Sequence, residues 1–265
     1  MHRFRNSAAA IAALAAGLGS AAGAESTPAA PARPVVVELF TSQGCSSCPP
    51  ADRLLSRLMT EMPGRVIPLA FHVDYWNRGG WTDPFSSHRW SERQGAYARK
   101  FHLEAPYTPQ AVVDGSVEMV GSREDRVRAA IASDAAKPSA AVAMHLAPAG
   151  TKLRVDVDVD RPEALRQKKL DLMIAIYETG LSTAVARGEN GGRTLHDDVV
   201  VRALTRATRI SSGGPAQARG SAEMALEKGW NRGGLGVAAF LQDPWSLEIF
   251  GAAAMALPAD GGEPR

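Results

Sequence analysis

Residues 35–52 read VVVELFTSQGCSSCPPAD and indicate how this part of the chain folds. Its first six residues are β-branched, apolar or aromatic apart from Glu38, and this pattern predicts one largely buried strand. A helix follows, because leucines and methionines recur at helical spacing over residues 54–62. Cys45 and Cys48 therefore lie at a junction between a strand and a helix.

Cys45 and Cys48 are the only two cysteines of the chain, so any intramolecular disulfide joins them. In the first turn of a helix, such positions share one face about 5 to 6 Å apart, which suits both the disulfide and the dithiol. Free amide groups and the helix dipole favour a thiolate at Cys45, so we predict that Cys45 attacks and Cys48 resolves. A loop this small stabilises a fold by only about 2 kcal/mol, which disfavours a purely structural role.

The ends of the chain have a different composition. Residues 1–24 predict a secretory signal peptide, since Arg3 and Arg5 precede an apolar run that ends in small residues. Residues 25–34 indicate a linker, and residues 258–265 indicate a flexible tail. The two arginines account for the formal net charge of +2, so the mature chain is formally neutral. We expect a secreted or periplasmic protein with no membrane span after signal removal and no nucleic-acid partner.

The body of the chain divides into two patterns. Residues 35–136 read as β, α, β, α, β, β, α, which predicts an α/β domain with a mixed sheet flanked by helices. Residues 137–257 read as strands separated by turn residues, which predicts a second, all-β, sandwich-like domain. The polar, glycine-rich segment 187–198 in this second part shows no catalytic set.

Three segments carry a resemblance to known proteins: residues 38–52, residues 72–76 (HVDYW) and residues 107–110 (YTPQ). Residues 35–136 resemble a thioredoxin fold, and the three segments resemble the secreted thioredoxin-like family catalogued as domain of unknown function 1223. The resemblance implies that Pro109, after Thr108, is the cis-proline that lies against the dithiol. Gly44 and Ser46-Ser47 depart from thioredoxin, so its reduction potential does not carry over.

Several side chains are candidates to support the dithiol. Glu38 falls near the buried acid of thioredoxin and is either a proton-transfer group or a surface residue. His72 and Asp74 lie at the carboxyl end of the second strand, where ligands gather in open α/β sheets. His72 is either a proton donor and acceptor or a structural histidine. Three aromatic residues could either bind substrate or pack loops onto the core: Trp76, Trp81 and Tyr107.

These observations predict an exported thiol-disulfide oxidoreductase that acts on protein or small-molecule thiols through Cys45 and Cys48, with its own disulfide as the only redox group. A thioredoxin-fold copper chaperone, with Cys45, Cys48 and His72 as ligands, is one alternative. A non-enzymatic binding module with a structural disulfide is another.

Overall fold

Seven consecutive buried residues, Val35–Thr41, form the first strand, β1, which has a neighbouring strand on each side. The structure is a computed structural model that describes residues 1–2 and 33–257. The predicted signal peptide, most of the linker and the predicted tail lie outside the described residues. Within residues 33–257, every helix is too short or too polar to span a bilayer.

The first half has the predicted order of strands and helices. From β1 the chain passes through helix α1 to strand β2, which pairs with β1 in parallel, and β3 then adds antiparallel to the other side of β1. Strand β4 pairs with β3. After β1 come α1 Pro49–Glu61, β2 Val66–His72, a 3-10 segment Tyr75–Gly79, α2 His88–Lys100, β3 Gln110–Val113, β4 Val117–Val120 and α3 Glu124–Asp134.

The second half consists mainly of strands, as the turn spacing indicates. Its elements are β5 Ala141–Ala149, β6 Lys152–Asp160, α4 Glu163–Arg166, β7 Leu170–Glu178, β8 Leu181–Ala184, β9 Thr194–Asp197, β10 Val200–Ile210, β11 Gln217–Ala225, a 3-10 segment Arg232–Gly234, β12 Leu235–Gln242 and β13 Ile249–Ala256. Strands β8 and β9 form a hairpin, and β5, β6 and β11 form a three-stranded sheet.

The two halves share one sheet, which differs from the predicted α/β domain followed by a separate β-sandwich. The eight-stranded sheet runs β13-β12-β7-β10-β2-β1-β3-β4, and Val200 of β10 lies beside Ala70 of β2. All seven residues of β2 are buried. A strand that is apolar on both faces needs covered faces and a partner on each side, and β10 supplies the second partner. Strands β5, β6 and β11 form a separate layer, with alternate β6 residues packed against β7 and β12.

The two faces of β1 have different neighbours, which matters for the site. Val37 and Leu39 pack with α1 and α3 on one face, while Val36 and Phe40 pack on the other face with α2 and with Phe240 of β12. Because side chains alternate along a strand, Thr41 at the end of β1 points to the α1 side. The mixed α/β fold therefore brings the carboxyl end of β1 next to the start of α1, where Thr41 donates to Asp52.

Candidate active site

The two cysteines form a disulfide at the start of α1. Their Cα atoms are 5.5 Å apart, Cys48 is the N-cap residue, and Pro49 begins the helix. Proline fits this place, since the first turn of a helix has no intrahelical use for its amide hydrogen. Both cysteines are 0% exposed, whereas Ser46 and Ser47 between them are exposed. The disulfide lies beneath the surface of its own loop.

Hydrogen bonds fix the loop before the helix. The amide of Cys48 donates to the carbonyl of Cys45 at 3.2 Å, and Cys45 Sγ lies 3.3 Å from Ser47 Oγ. Gly44 is tightly packed, since a Cβ atom there would lie 3.1 Å from Cβ of Trp76. A larger residue at Gly44 would push the loop away from Trp76.

Trp76 connects this loop to the segment before β3. Its indole Nε1 donates to Thr108 Oγ1 at 2.7 Å, and the Thr108–Pro109 peptide bond is cis, as the resemblance implied. Tyr107 turns elsewhere, because its hydroxyl donates to Glu118. The structure therefore links Trp76, Thr108 and Pro109 to the loop of the disulfide.

His72, at the end of β2, belongs to a buried charged cluster. Its Nδ1 lies 2.7 Å from Asp83 Oδ2, while its Nε2 has no hydrogen-bond partner and lies 4.0 Å from Asp197 Oδ1. Burial lowers the pKa of His72, but the Asp83 carboxylate and Asp197 outweigh it and raise that pKa to about 9. Asp83 keeps its pKa below the usual range despite burial because of the His72 imidazolium. His72 therefore carries a positive charge at neutral pH.

Asp52 is the third acid of this cluster, and it lies one helical turn after Cys48. Its amide donates to the Cys48 carbonyl at 3.2 Å, and its carboxylate accepts a 2.7 Å hydrogen bond from Thr41. Burial raises the pKa of Asp52 to about 7, although the Thr41 hydroxyl opposes the shift. Helical side chains lean toward the preceding turn, so the carboxyl group of Asp52 is directed toward the dithiol end of α1.

Gln43 ties the cluster to the cysteine loop. Its amide donates to Asp83 Oδ2 at 2.8 Å, and its side-chain Nε2 donates to Asp197 Oδ2 at 2.7 Å. Its Oε1 accepts from Trp81 Nε1 at 3.1 Å. Trp81 therefore contributes a hydrogen bond to a polar network beside the dithiol, and its indole N–H has its acceptor within the protein.

Two of the predicted supporting residues lie elsewhere. Glu38 is buried on the face of β1 opposite to α1, where its carboxylate pairs with Arg93 and accepts from Tyr97. Asp74 is half-buried and accepts from Ser91 at the start of α2. Neither the proton-transfer role nor the surface position considered for Glu38 fits, since it is a fully paired core residue.

Sequence reasoning missed residues that arrive from distant parts of the chain: Gln43, Asp52, Asp83, Glu189, Asn190 and Asp197. Asp52 carried a usable signal, because it follows Cys48 by four residues and so shares its helical face. Asp197 and Asn190 carried none, since they come from the β8–β9 hairpin, whose position beside α1 is set by long-range packing. The segment 187–198 nevertheless does contribute to the site.

The residues proposed as copper ligands are engaged in other contacts. Cys45 and Cys48 are bonded to each other, and Nδ1 of His72 is held by Asp83. Among the residues that the structure describes, no group of three or more His, Cys, Asp or Glu side chains is arranged to hold a metal ion.

Two solved structures have similar folds over most of the chain. A protein from Agrobacterium tumefaciens has a TM-score of 0.67 and 26% identity, covering 87% of this chain and 97% of that chain. HBP35 of Porphyromonas gingivalis has a TM-score of 0.61 and 18% identity, covering 88% of this chain and 77% of that chain, and this likeness concerns the fold alone. No curated protein sequence matches the chain significantly.

The family comparison covers nearly the same part of the chain. The model of the family described as "Protein of unknown function (DUF1223)" matches residues 36–242, which include the dithiol, the cis-proline and the hairpin loop beside them. The chain belongs to this family.

Proposed function

We propose that this chain is a thiol-disulfide oxidoreductase whose redox group is the Cys45–Cys48 disulfide. The observation that carries the proposal is the position of this disulfide, at the first turn of α1 and connected through Trp76 to the cis-Pro109 segment. The dipole of α1 favours a thiolate near the N-terminus of this helix. The arrangement suits reversible chemistry at Cys45, and it requires no cofactor other than the disulfide.

A thioredoxin-like fold for the first half is part of the proposal. The strand order β2-β1-β3-β4, with β1 and β2 parallel and β3 and β4 antiparallel, supports it. The helix α1 connects the two parallel strands, and a cis-proline precedes β3. In this chain the same sheet continues into β10, β7, β12 and β13.

The exchange reaction balances without a further reactant. A substrate thiolate attacks Cys45 Sγ, the bond to Cys48 breaks, and the electron pair goes to Cys48, which takes a proton. A second substrate thiol, as thiolate, then attacks the substrate sulfur of the mixed disulfide and releases Cys45. Two substrate thiols are thereby oxidised to a disulfide, and the protein disulfide is reduced to two thiols; the reverse sequence reduces a substrate disulfide.

Asp52 is the group that exchanges the proton with Cys48 in this proposal. It lies in the next turn of α1, it is half-buried, and its pKa of about 7 suits both donation and acceptance near neutral pH. Burial is the main cause of the raised proton affinity of Asp52, and the neighbouring Asp197 and His72 charges modify it without direct contact with substrate in this proposal.

The proposed setting follows from the N-terminal sequence. A signal peptide at residues 1–24 would send the chain to the periplasm or outside the cell, where disulfides persist. The partners proposed are protein or small-molecule thiols.

Trapping of the mixed disulfide tests the proposal. We expect the Cys48→Ser variant, mixed with oxidised glutathione, to accumulate one glutathione on Cys45, since no resolving thiol remains to release it. The Cys45→Ser variant should form much less adduct, because Cys48 is the resolving cysteine in the proposed mechanism and Cys45 is the one that forms the mixed disulfide. Intact-protein mass spectrometry measures both. Equal or absent labelling of the two variants, with both folded by circular dichroism, would contradict the proposed roles.

A binding module with a structural disulfide is the second candidate, and the complete burial of Cys45 and Cys48 favours it. A structural disulfide would resist reduction in the native protein and would leave no reactive thiol. Titration of native protein with reduced glutathione separates the two candidates: a reversible dithiol supports the enzyme, and reduction only on unfolding supports the module.

A further inference from the structure

The loop between β8 and β9, residues 185–193, reaches the cysteine loop across a large separation in sequence. Asn190 at its tip is 0% exposed, and its Nδ2 donates to the carbonyl oxygens of Gln43 at 2.9 Å and Cys45 at 3.0 Å. Two backbone acceptors beside the disulfide are thus satisfied by one side chain. A buried amide that bridges two carbonyls is a specific contact.

The adjacent residue satisfies a backbone donor. Glu189 Oε2 accepts from the amide of Ser46 at 2.9 Å. Hydrogen bonding from the Ser46 side chain, and then from this amide, lowers the pKa of Glu189. The Ser46 amide lies between the two cysteines, three residues before α1 begins. Residues 189 and 190 together therefore cover two acceptors and one donor of the segment 43–46.

The loop holds this shape through its own contacts. Arg193 donates to Oδ1 of Asn190 at 3.0 Å, and the amide of Gly191 donates to the carbonyl of Gly188 at 3.0 Å. Gly188 has a φ of +80°, and a Cβ atom there would lie 3.1 Å from Cβ of Trp81. These contacts stabilise the shape of the loop, which packs against Trp81.

An extended peptide presents the same kinds of group. Its backbone offers N–H donors and C=O acceptors alternately, so it can satisfy the carbonyls of Gln43 and Cys45 and the amide of Ser46. A small thiol such as glutathione lacks the length to replace all three contacts. The polar edge that the loop covers thus matches a polypeptide backbone better than a small thiol.

We propose that residues 185–193 occupy the place of an extended peptide substrate and that a substrate cysteine reaches Cys45 only after this loop is displaced. The proposal rests on the proposed function. It explains why Cys45, the sulfur that must be attacked, has no exposed surface. Substrates would then be unfolded or flexible cysteine-containing polypeptides, whose backbone replaces the loop.

Rates of reduction of the oxidised protein test the proposal. The probes are reduced glutathione and an unstructured ten-residue peptide with one cysteine, and the proteins are wild type and Asn190→Ala. We expect the variant to react faster with both thiols, with a gain of about tenfold for the peptide, because two hydrogen bonds that close the loop are lost. The gain for the peptide should exceed that for glutathione, since only the peptide uses the uncovered groups.

Two further variants serve as controls. Asn231→Ala removes another turn asparagine, whose side chain accepts from Gly233, and should react like wild type. Glu189→Ala removes an exposed side chain and should give a smaller gain of the same sign. It keeps the test decisive should Asn190→Ala fail to fold.

The outcomes separate this inference from the proposed function. Unchanged rates in the Asn190 and Glu189 variants, with a disulfide that exchanges reversibly, would overturn the loop proposal alone. Equal gains for glutathione and peptide would overturn the polypeptide assignment. A disulfide that reacts in no folded variant would contradict both the loop proposal and the oxidoreductase.

Discussion

Cys45 and Cys48 differ in their surroundings although both are buried. Cys45 lies before the helix, with its Sγ 3.3 Å from the Ser47 hydroxyl, whereas Cys48 is the N-cap residue. Hydrogen bonds and the helix dipole favour the charged form of a thiol at such a place. The asymmetry in the proposed roles thus has a local physical cause.

Asp52→Asn should change the pH dependence of thiol exchange. The pKa of Asp52, at about 7, keeps its carboxyl protonated below neutrality, so the wild type can donate a proton to Cys48 there. We expect the variant to be slower by at least about tenfold at pH 6, with a smaller difference at pH 9. Stopped-flow reduction by glutathione over this range measures the ratio of the two rates.

The matched control for this change is Asp125→Asn, which removes an exposed carboxylate on α3. It should leave the rate ratio at one throughout the pH range. A ratio for Asp52→Asn that stays constant with pH would show that Asp52 supports the fold and transfers no proton.

At the scale of single residues, neighbours in the chain predict the positions of the cysteine pair and of the cis-proline. Cys45, Cys48 and cis-Pro109 belong to local motifs, and the placement of His72 follows from a strand end. Glu38 was misjudged, because side-chain alternation in β1 decides its face and α1 covers the other one. Asp83 reaches His72 through a loop turn whose geometry no periodicity encodes.

Among the elements, β2 and the β8–β9 hairpin meet at the charged cluster. His72 ends β2, Asp197 ends β9, and Asp83 and Asp52 face the same point from a loop and from α1. Buried charges of opposite sign stabilise one another, and removal of one partner leaves the other unpaired. The docking of the hairpin should therefore depend on the charge of His72.

Stability should fall as pH rises through the pKa of His72. The folded-state pKa, about 9, lies above the ordinary value of 6.5, so the stabilisation is complete below pH 6.5 and is lost as pH rises through 9. The full effect is roughly 3 kcal/mol, since each unit of pKa shift corresponds to about 1.4 kcal/mol. Urea unfolding of the oxidised protein between pH 6 and pH 10 measures it.

Variants at two histidines isolate the effect. His72→Asn should be less stable than wild type at pH 6 and should lose most of the decline toward pH 10. His145→Asn, at an exposed histidine of β5, should retain the decline. A wild-type decline that persists in His72→Asn would place the responsible titration elsewhere.

For the whole molecule, the shared sheet couples the two halves. Val36, Phe40 and Phe71 from the first half pack in one core with Leu204 and Phe240 from the second. Residues 33–257 belong to a single compact unit. The hairpin loop that contacts Cys45 thus belongs to strands that the sequence assigned to a separate sandwich.

One cooperative unfolding transition should follow from this shared core. We expect coincident midpoints by circular dichroism and tryptophan fluorescence for the oxidised protein. The excised fragment 33–136 should fail to unfold cooperatively, because β2 and α2 would lose the partners that cover them. Two separate transitions, or a stably folded fragment, would contradict the coupling of the halves.

Near residue 137 the sequence pattern changes from alternating strands and helices to strands alone. The elements that this pattern predicts are present, but they assemble into one shared sheet and not into two separate domains. Helix and strand positions follow from local periodicity, and the cap of α2 at Ser87 follows from local chemistry. The pairing of β10 with β2 joins segments more than a hundred residues apart, and no local pattern encodes such a pairing. Apolar runs such as residues 66–71 of β2 and 172–177 of β7 indicate burial on both faces without indicating which strands provide it.

The reduction potential of the Cys45–Cys48 couple distinguishes a redox-active disulfide from a structural one. It is obtained by equilibrating the folded protein with mixtures of reduced and oxidised glutathione and quantifying the dithiol by alkylation and mass spectrometry. A redox-active couple predicts a potential above about −300 mV. A potential below that value, together with a Cys45 thiol that titrates near the ordinary value of about 8.5, would show that the disulfide is structural.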